Sequence, residues 1–272
     1  MCLNFQFVKL LFLLLFIVSI NLDAFSGGEF IRVNEYKNIS GFIGIDRLDN
    51  IYSIESGILI KHVSENEKLS YSRRSFGPVT YADVTDPLNI LVFFGDFGHV
   101  VILDRNLAEK NFFSGSELWP GDVPQKVTYA LQNGFWAYFA GSFRLVRFNN
   151  RGLSEIKSSQ LILEHPEMGI LNRLTESGNK LFVSANGMWV FDHHANFLFH
   201  IPEIQTDNFQ IIGNSIFYLE NGRLKVYDFF LHEENVFLLP ETDVSSFFIK
   251  DNYIFLQTEV SLKKFHYTGN FY

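Results

Sequence analysis

Two short stretches carry the residue types from which chemistry is usually built. Asp192-His193-His194 places a carboxylate beside two imidazoles, a set that can ligate a metal ion. Asp83-Val84-Thr85-Asp86 sets two carboxylates three residues apart, the groups that general acid and base catalysis on a glycan would use. Each stretch also has a plainer account. Adjacent strand residues point to opposite faces, so His193 and His194 do not converge on one ion, and no Cys or second carboxylate–His cluster stands at ligand spacing. Asp86-Pro87 initiates a turn without any catalytic role. No Gly-rich phosphate loop, Gly-x-Ser-x-Gly elbow or Cys/His nucleophile pair is present. The sequence therefore assigns no catalytic residue, no metal ligand and no cofactor.

Whatever these residues do, a repeated pattern positions them. A turn Asn, an apolar strand, a tight turn and a second apolar strand recur six times, beginning at Asn50, Asn89, Asn133, Asn179, Asn214 and Asn252. The closing residues His62, Leu103, Phe148, Phe191, Tyr227 and Phe265 stand 41, 45, 43, 36 and 38 residues apart. A period near forty matches one four-stranded blade of a β-propeller; a helical repeat of that length needs apolar residues at 3.6 spacing. Here the runs are short, β-branched and aromatic, and are bounded by Gly, Asn and Asp, which is hairpin chemistry. Asn186-Gly187 and Asn221-Gly222 tolerate the positive φ of two-residue hairpin turns. Each phrase reads as the inner hairpin of a blade. A stacked solenoid or a pair of β-sandwiches would also be all-β, but a solenoid shows a shorter and stricter period.

Six copies predict six blades, with a seventh only if residues 105–130 hide a degenerate hairpin. The ends fit together. Phe30-Ile31-Arg32-Val33 is a strand without a neighbouring partner, and the last copy stops soon after Phe265, so the first strand is expected to complete the last blade and close the ring.

The repeat also reinterprets the polar residues. Asp104, Asp192 and Asp228, with Asn149 in the third copy, occupy equivalent strand ends; they could ring one face and gather cations, but such residues also bond their own backbone and start turns. Arg144, Arg147 and Arg151 form the only notable basic spacing; with 144 and 147 on opposite faces, a solvated blade edge is expected rather than a phosphate site. A net charge of −8 argues against a nucleic-acid partner. Thirty-one Phe, eleven Tyr and three Trp suit stacked sheets that bury large rings between them. Asn38-Ile39-Ser40 matches a glycosylation pattern, a three-residue match that is frequent by chance.

At the N-terminus Lys9 precedes an apolar run, Leu10–Val18, and Ala24-Phe25-Ser26 offers small residues at a cleavage site. Residues 1–26 are read as an export signal and 27–272 as a single propeller domain without a membrane span. Cys2, the only cysteine, precedes the apolar run, where a lipid-acceptor Cys does not stand, and the mature chain would have no disulfide.

From Asp83 to Phe94 and on to Asp104, and through the recurring Asn-strand-turn-strand-Asp phrases, the chain resembles small exported propeller-like proteins of Bacteroidota, NHL/TolB-like in appearance. The resemblance implies a propeller and export to the periplasm or cell envelope; it brings no activity and no functional residue. The function expected is non-catalytic binding of a protein or peptide partner through loops at one mouth of the ring, by a monomer. The alternative is a glycan-acting hydrolase or lyase with acids converging at the central channel.

Overall fold

The computed structural model describes residues 28–64, 66–131, 134–259 and 261–271. The proposed signal, with the Leu10–Val18 run and Cys2, lies outside the described residues. β1 (Phe30–Lys37) comes first in the chain. β2 (Phe42–Ile45), β3 (Ile51–Glu55), β4 (Ile58–His62) and β5 (Lys68–Tyr71) form blade 1. Blade 2 is β6 (Tyr81–Asp83), β7 (Ile90–Phe94), β8 (His99–Leu103) and β9 (Glu109–Phe113). Blade 3 is β10 (Pro124–Ala130), β11 (Gly134–Phe139), β12 (Arg144–Asn149) and β13 (Ser154–Lys157). Blade 4 is β14 (Arg173–Ser177), β15 (Lys180–Ala185), β16 (Gly187–Asp192) and β17 (Phe197–Ile201). Blade 5 is β18 (Phe209–Ile212), β19 (Ser215–Glu220), β20 (Arg223–Asp228) and β21 (Glu233–Leu238). β22 (Ser246–Lys250), β23 (Tyr253–Gln257) and β24 (Ser261–Tyr267) form blade 6, and β1 adds its outermost strand antiparallel to β24.

The fold is thus an all-β, six-bladed propeller closed by its N-terminal strand, as expected. Phe30 of β1 packs on Tyr267, ring centroids 4.8 Å apart, so the closing strand is held by a side-chain stack as well as by its ladder. Two sequence expectations need correction. The repeated phrase is the middle hairpin of each blade, its second and third strands; the innermost strand precedes it. The Asn-Gly pairs also differ. Asn221 (φ 51°) and Gly222 (φ 72°) make the expected two-residue turn, whereas of the 186–187 pair only Gly187 has positive φ. Asn186 instead binds the preceding loop, its N–H to the Met168 carbonyl and its Nδ2 to the Glu167 carbonyl.

The core lies between blades, and strand periodicity explains how. In β7, Ile90, Val92 and Phe94 face blade 1 while Leu91 and Phe93 face blade 3, so one short strand supplies two interfaces. A strand buried on both faces has no polar alternation, which is why these runs are continuously apolar. The 105–130 connection holds no seventh hairpin: it contains β9, a one-turn helix at Gly115–Leu118, a Trp119–Asp122 bridge and all of β10.

Candidate functional site

The innermost strands surround a central cavity of about 490 Å³, lined from β2, β6, β14, β18 and β22 and the loop ends beside them. Its charged lining residues are Arg47, Arg173 and Lys250 against Asp46, Asp83 and Glu176. Because these strands follow the long outer connections and are short, their side chains meet across blade junctions. Most of the polar lining is spent there.

Asp46, at the end of β2, is buried. One oxygen accepts the Leu48 N–H (2.8 Å) and Asn50 N–H (3.0 Å), the other Asn50 Nδ2 (2.8 Å) and the Tyr52 hydroxyl (2.9 Å). Four donors saturate a carboxylate. Burial, followed by the charge and hydrogen bond of Asp46, holds the Tyr52 phenol far above its usual range. Lys250 closes the junction of blades 6 and 1, donating to the Asp46 carbonyl (3.0 Å) and Asp49 Oδ1 (2.6 Å). Asp83 closes that of blades 2 and 3: Oδ2 accepts Thr128 Oγ1 (3.0 Å) and the Tyr129 N–H (3.1 Å), and Oδ1 the Thr85 N–H (3.1 Å). Gln210 does the same between blades 5 and 6, exchanging two 2.7 Å bonds with the Ile249 backbone. Between blades 3 and 4, Glu176 accepts the Leu131 N–H at 2.7 Å. Burial pushes its carboxyl up, against the Leu131 N–H, the Arg147 charge and Trp136.

Arg173 is different. Nη1 donates to the Asp207 carbonyl at 2.9 Å, and the guanidinium lies 4.7 Å from the Phe209 ring centroid. Its Nε is buried without a hydrogen-bond partner, and among the described residues it has no carboxylate within ion-pair distance. An orphaned buried donor costs ~1–3 kcal/mol. The Tyr81 phenol nearby is raised by burial and by Asp83, while Arg173 and Thr128 act in the opposite sense.

At the mouth formed by the loops between first and second strands, blades 1, 2 and 3 each present a leucine. Leu48, Leu88 and Leu131 are 61, 58 and 41 % exposed. Leu48 and Leu88 sit on turns fixed by an acid two residues before, Asp46 and Asp86. At Asp86, burial alone would raise the carboxyl, yet bonds from Asn89, the Leu88 N–H and Tyr129, with the Arg47 charge, hold it below the usual range. Asp83 and Asp86 are therefore turn and junction residues. Each has its own partners.

The other sequence candidates resolve as turn chemistry. Oδ1 of Asp104, Asn149, Asp192 and Asp228 accepts two backbone N–H groups from the following loop in every case. His193 and His194 are exposed on the Asp192 turn, ring centroids 3.8 Å apart. Among the described residues, no three His, Cys, Asp or Glu side chains gather as a metal site. Arg144 bonds the Ser158 carbonyl, and Arg151 is exposed on its turn. The solvated-edge expectation fails for Arg147: its side chain is only 12 % exposed, clamped between Glu155 (2.5 Å) and the Leu131 carbonyl (2.6 Å). Both partners come from its own blade, Glu155 from the outer strand β13 and Leu131 from the loop after β10.

One constellation had no sequence signal beyond hairpin register. Ser53 Oγ lies 2.9 Å from His62 Nε2 and donates to Glu55 Oε1 at 3.0 Å. In a nucleophilic triad the acid orients the far nitrogen of the imidazole; here acid and imidazole meet at the same hydroxyl. Ser53 is fully buried, so the trio is a core hydrogen-bond network.

No protein-family model matches the chain, and none of the curated proteins does either. Solved structures do. Virginiamycin B lyase from Staphylococcus aureus, as a catalytically inactive variant with quinupristin, superposes with TM-score 0.59 at 10 % identity, covering 88 % of this chain and 99 % of that one. The extracellular domain of a putative one-component system from B. thetaiotaomicron gives 0.57 at 11 % identity, covering 83 % of this chain and 32 % of that one. BBS1N, solved in complex with ARL6DN, gives 0.54 at 15 % identity over 80 % of this chain and 75 % of that one. Among the described residues no helix is long and apolar enough to cross a membrane. At these identities the likeness establishes the fold alone, and the fold is that of the β-propellers.

Proposed function

We propose that this chain is an exported propeller of the periplasm or cell envelope that binds a protein or peptide partner at the leucine-bearing mouth and catalyses no reaction itself. The observation that carries the reading is the exposure of Leu48, Leu88 and Leu131 on three successive loops at one end of the channel. Apolar side chains on turns pinned by buried or half-buried acids are pre-ordered, so docking on them costs little conformational entropy. Export is supported by the Leu10–Val18 run behind Lys9 and by the resemblance to exported Bacteroidota proteins. Two of the structural neighbours are an extracellular domain and a propeller solved with a protein partner, uses open to this fold. A glycan hydrolase or lyase would need channel acids free to exchange protons with substrate. Asp46 and Asp83 are instead held by four and three donors, and Glu176 is engaged by the Leu131 N–H.

Site-specific photocrosslinking in the native host tests the reading. A benzophenone side chain replacing Leu88 is expected to capture one reproducible envelope protein, and the same group at Leu238, on the outer strand of blade 5, is not. Identical products from both positions, or none from Leu88, would refute the docking mouth.

A further inference from the structure

The wall of the channel is almost entirely self-satisfied, and the exception defines a site. Arg173 is the one arginine on an innermost strand among the described residues. Every other charged residue of the lining except exposed Arg47 is committed to a neighbour by hydrogen bonds. Arg173 bonds the Asp207 carbonyl and shares a hydrogen bond with the Tyr81 hydroxyl, and its buried Nε has no partner. Phe209 lies against the guanidinium and restrains its plane. We propose that Arg173 anchors a carboxylate-binding site inside the channel, whose ligand is a monoanionic organic acid with an apolar body.

Two features select that class. A guanidinium edge offers parallel N–H donors matched to a planar carboxylate. The cavity also carries Asp83 and Glu176, so a doubly charged phosphate would meet repulsion that a single negative charge largely escapes. The apolar body has a wall to rest on: Phe42 and Phe248, edge to face at 6.4 Å, line the side contributed by blades 1 and 6, across the ring from Arg173. A cavity of about 490 Å³ is within the usual size for small-molecule sites. The site is interior and does not rest on the mouth being a docking surface.

The experiment reads Nε directly. A ¹H–¹⁵N spectrum of arginine side chains is recorded on the whole chain, with the Arg173 signal assigned by its loss in Arg173→Lys, or in Arg173→Gln if the first variant does not fold. Benzoate is expected to move that signal saturably while benzamide, equal in shape and uncharged, leaves it in place. Arg173→Lys should weaken benzoate binding, followed calorimetrically, by about tenfold or more, because the paired edge is gone. An Arg173 signal that ignores benzoate, or follows benzamide equally, overturns the proposal. A tetrapeptide Ala-Ala-Ala-Phe with free or amidated C-terminus separates the sources of the carboxylate. With benzoate active, a shift from the free but not the amidated tetrapeptide places a peptide tail in the channel; a shift from benzoate and from neither tetrapeptide restricts the site to small acids.

Discussion

The Leu131 N–H donates to the Glu176 carboxylate at 2.7 Å, across the junction of the third and fourth blades. A mouth loop that displays an exposed leucine is thereby tied to an inner strand whose carboxyl is pushed up by burial. The linkage has a sign. A carboxyl whose folded pKa exceeds its unfolded value contributes stability below the unfolded pKa, and that contribution is lost as pH rises through the folded one. Glu176→Gln keeps the acceptor and removes the charge. It is expected to melt like the parent near pH 4 and above it near pH 8, as read by circular dichroism. Glu176→Ala orphans the Leu131 N–H and should cost ~1–3 kcal/mol at both. A Glu176→Gln protein less stable than the parent at pH 8 would contradict the account.

Ring closure makes a second prediction. β1 is the outer strand of blade 6, held by its β24 ladder and by Phe30 against Tyr267. Phe30 is only partly buried, so Phe30→Ala should cost ~2–3 kcal/mol, below the ~3–5 of a fully enclosed ring. Deleting residues through Lys37 goes further, because it exposes the edge of β24 to other chains. Size-exclusion chromatography is expected to show association, and denaturant unfolding a loss of cooperativity. A monomeric, cooperative deletion protein would show that the ring does not depend on β1.

The repeated strand-end acids supply a third, with a natural control. Asn149 performs in blade 3 what Asp192 performs in blade 4, each accepting two N–H groups through Oδ1. Asp192→Asn should therefore be nearly silent in thermal unfolding, and Asp192→Ala should cost about 1 kcal/mol. If a charge at this position mattered in itself, the Asn variant would lose as much as the Ala variant.

These residues also show what a sequence makes legible. The middle hairpins are contiguous in the chain, so six of them stand out as one phrase, and the unpaired Phe30 segment stands out because the last copy is short. The innermost strands do not: β6 is only Tyr81–Asp83, and no period can be seen in three residues. Channel partners such as Asp83 with Thr128 or Lys250 with Asp49 lie 45 and 201 residues apart and leave no local signature. Arg173 stands outside every copy of the phrase. Its interest comes from what surrounds it, an orphaned N–H and no counter-charge, and neither is a property of sequence. Arg147 defeats the sequence reading for the related reason that a basic residue at regular spacing looks solvated until its partners, 8 and 16 residues away, are seen to enclose it.

The buried Ser53–His62 pair yields the last prediction. Burial, then the Lys68 charge, lowers the His62 pKa, with Glu55 opposing. His99 shifts the same way through burial and Arg73, against Glu117. In the unfolded chain both imidazoles take up protons near pH 6.5, while the folded protein resists until lower pH. The unfolded state therefore binds more protons in that window. The histidines' contribution to stability should be flat above about pH 7 and fall as pH drops from 6.5 toward the folded values, with Glu176 acting in the opposite sense. His62→Gln can still bond the Ser53 hydroxyl and does not titrate, so relative to the parent its melting temperature should lose less between pH 7 and 5, with His99 and Glu176 common to both proteins. Parallel curves for parent and variant across that interval would mean that His62 does not resist protonation, and that the Ser53 network carries no pH dependence.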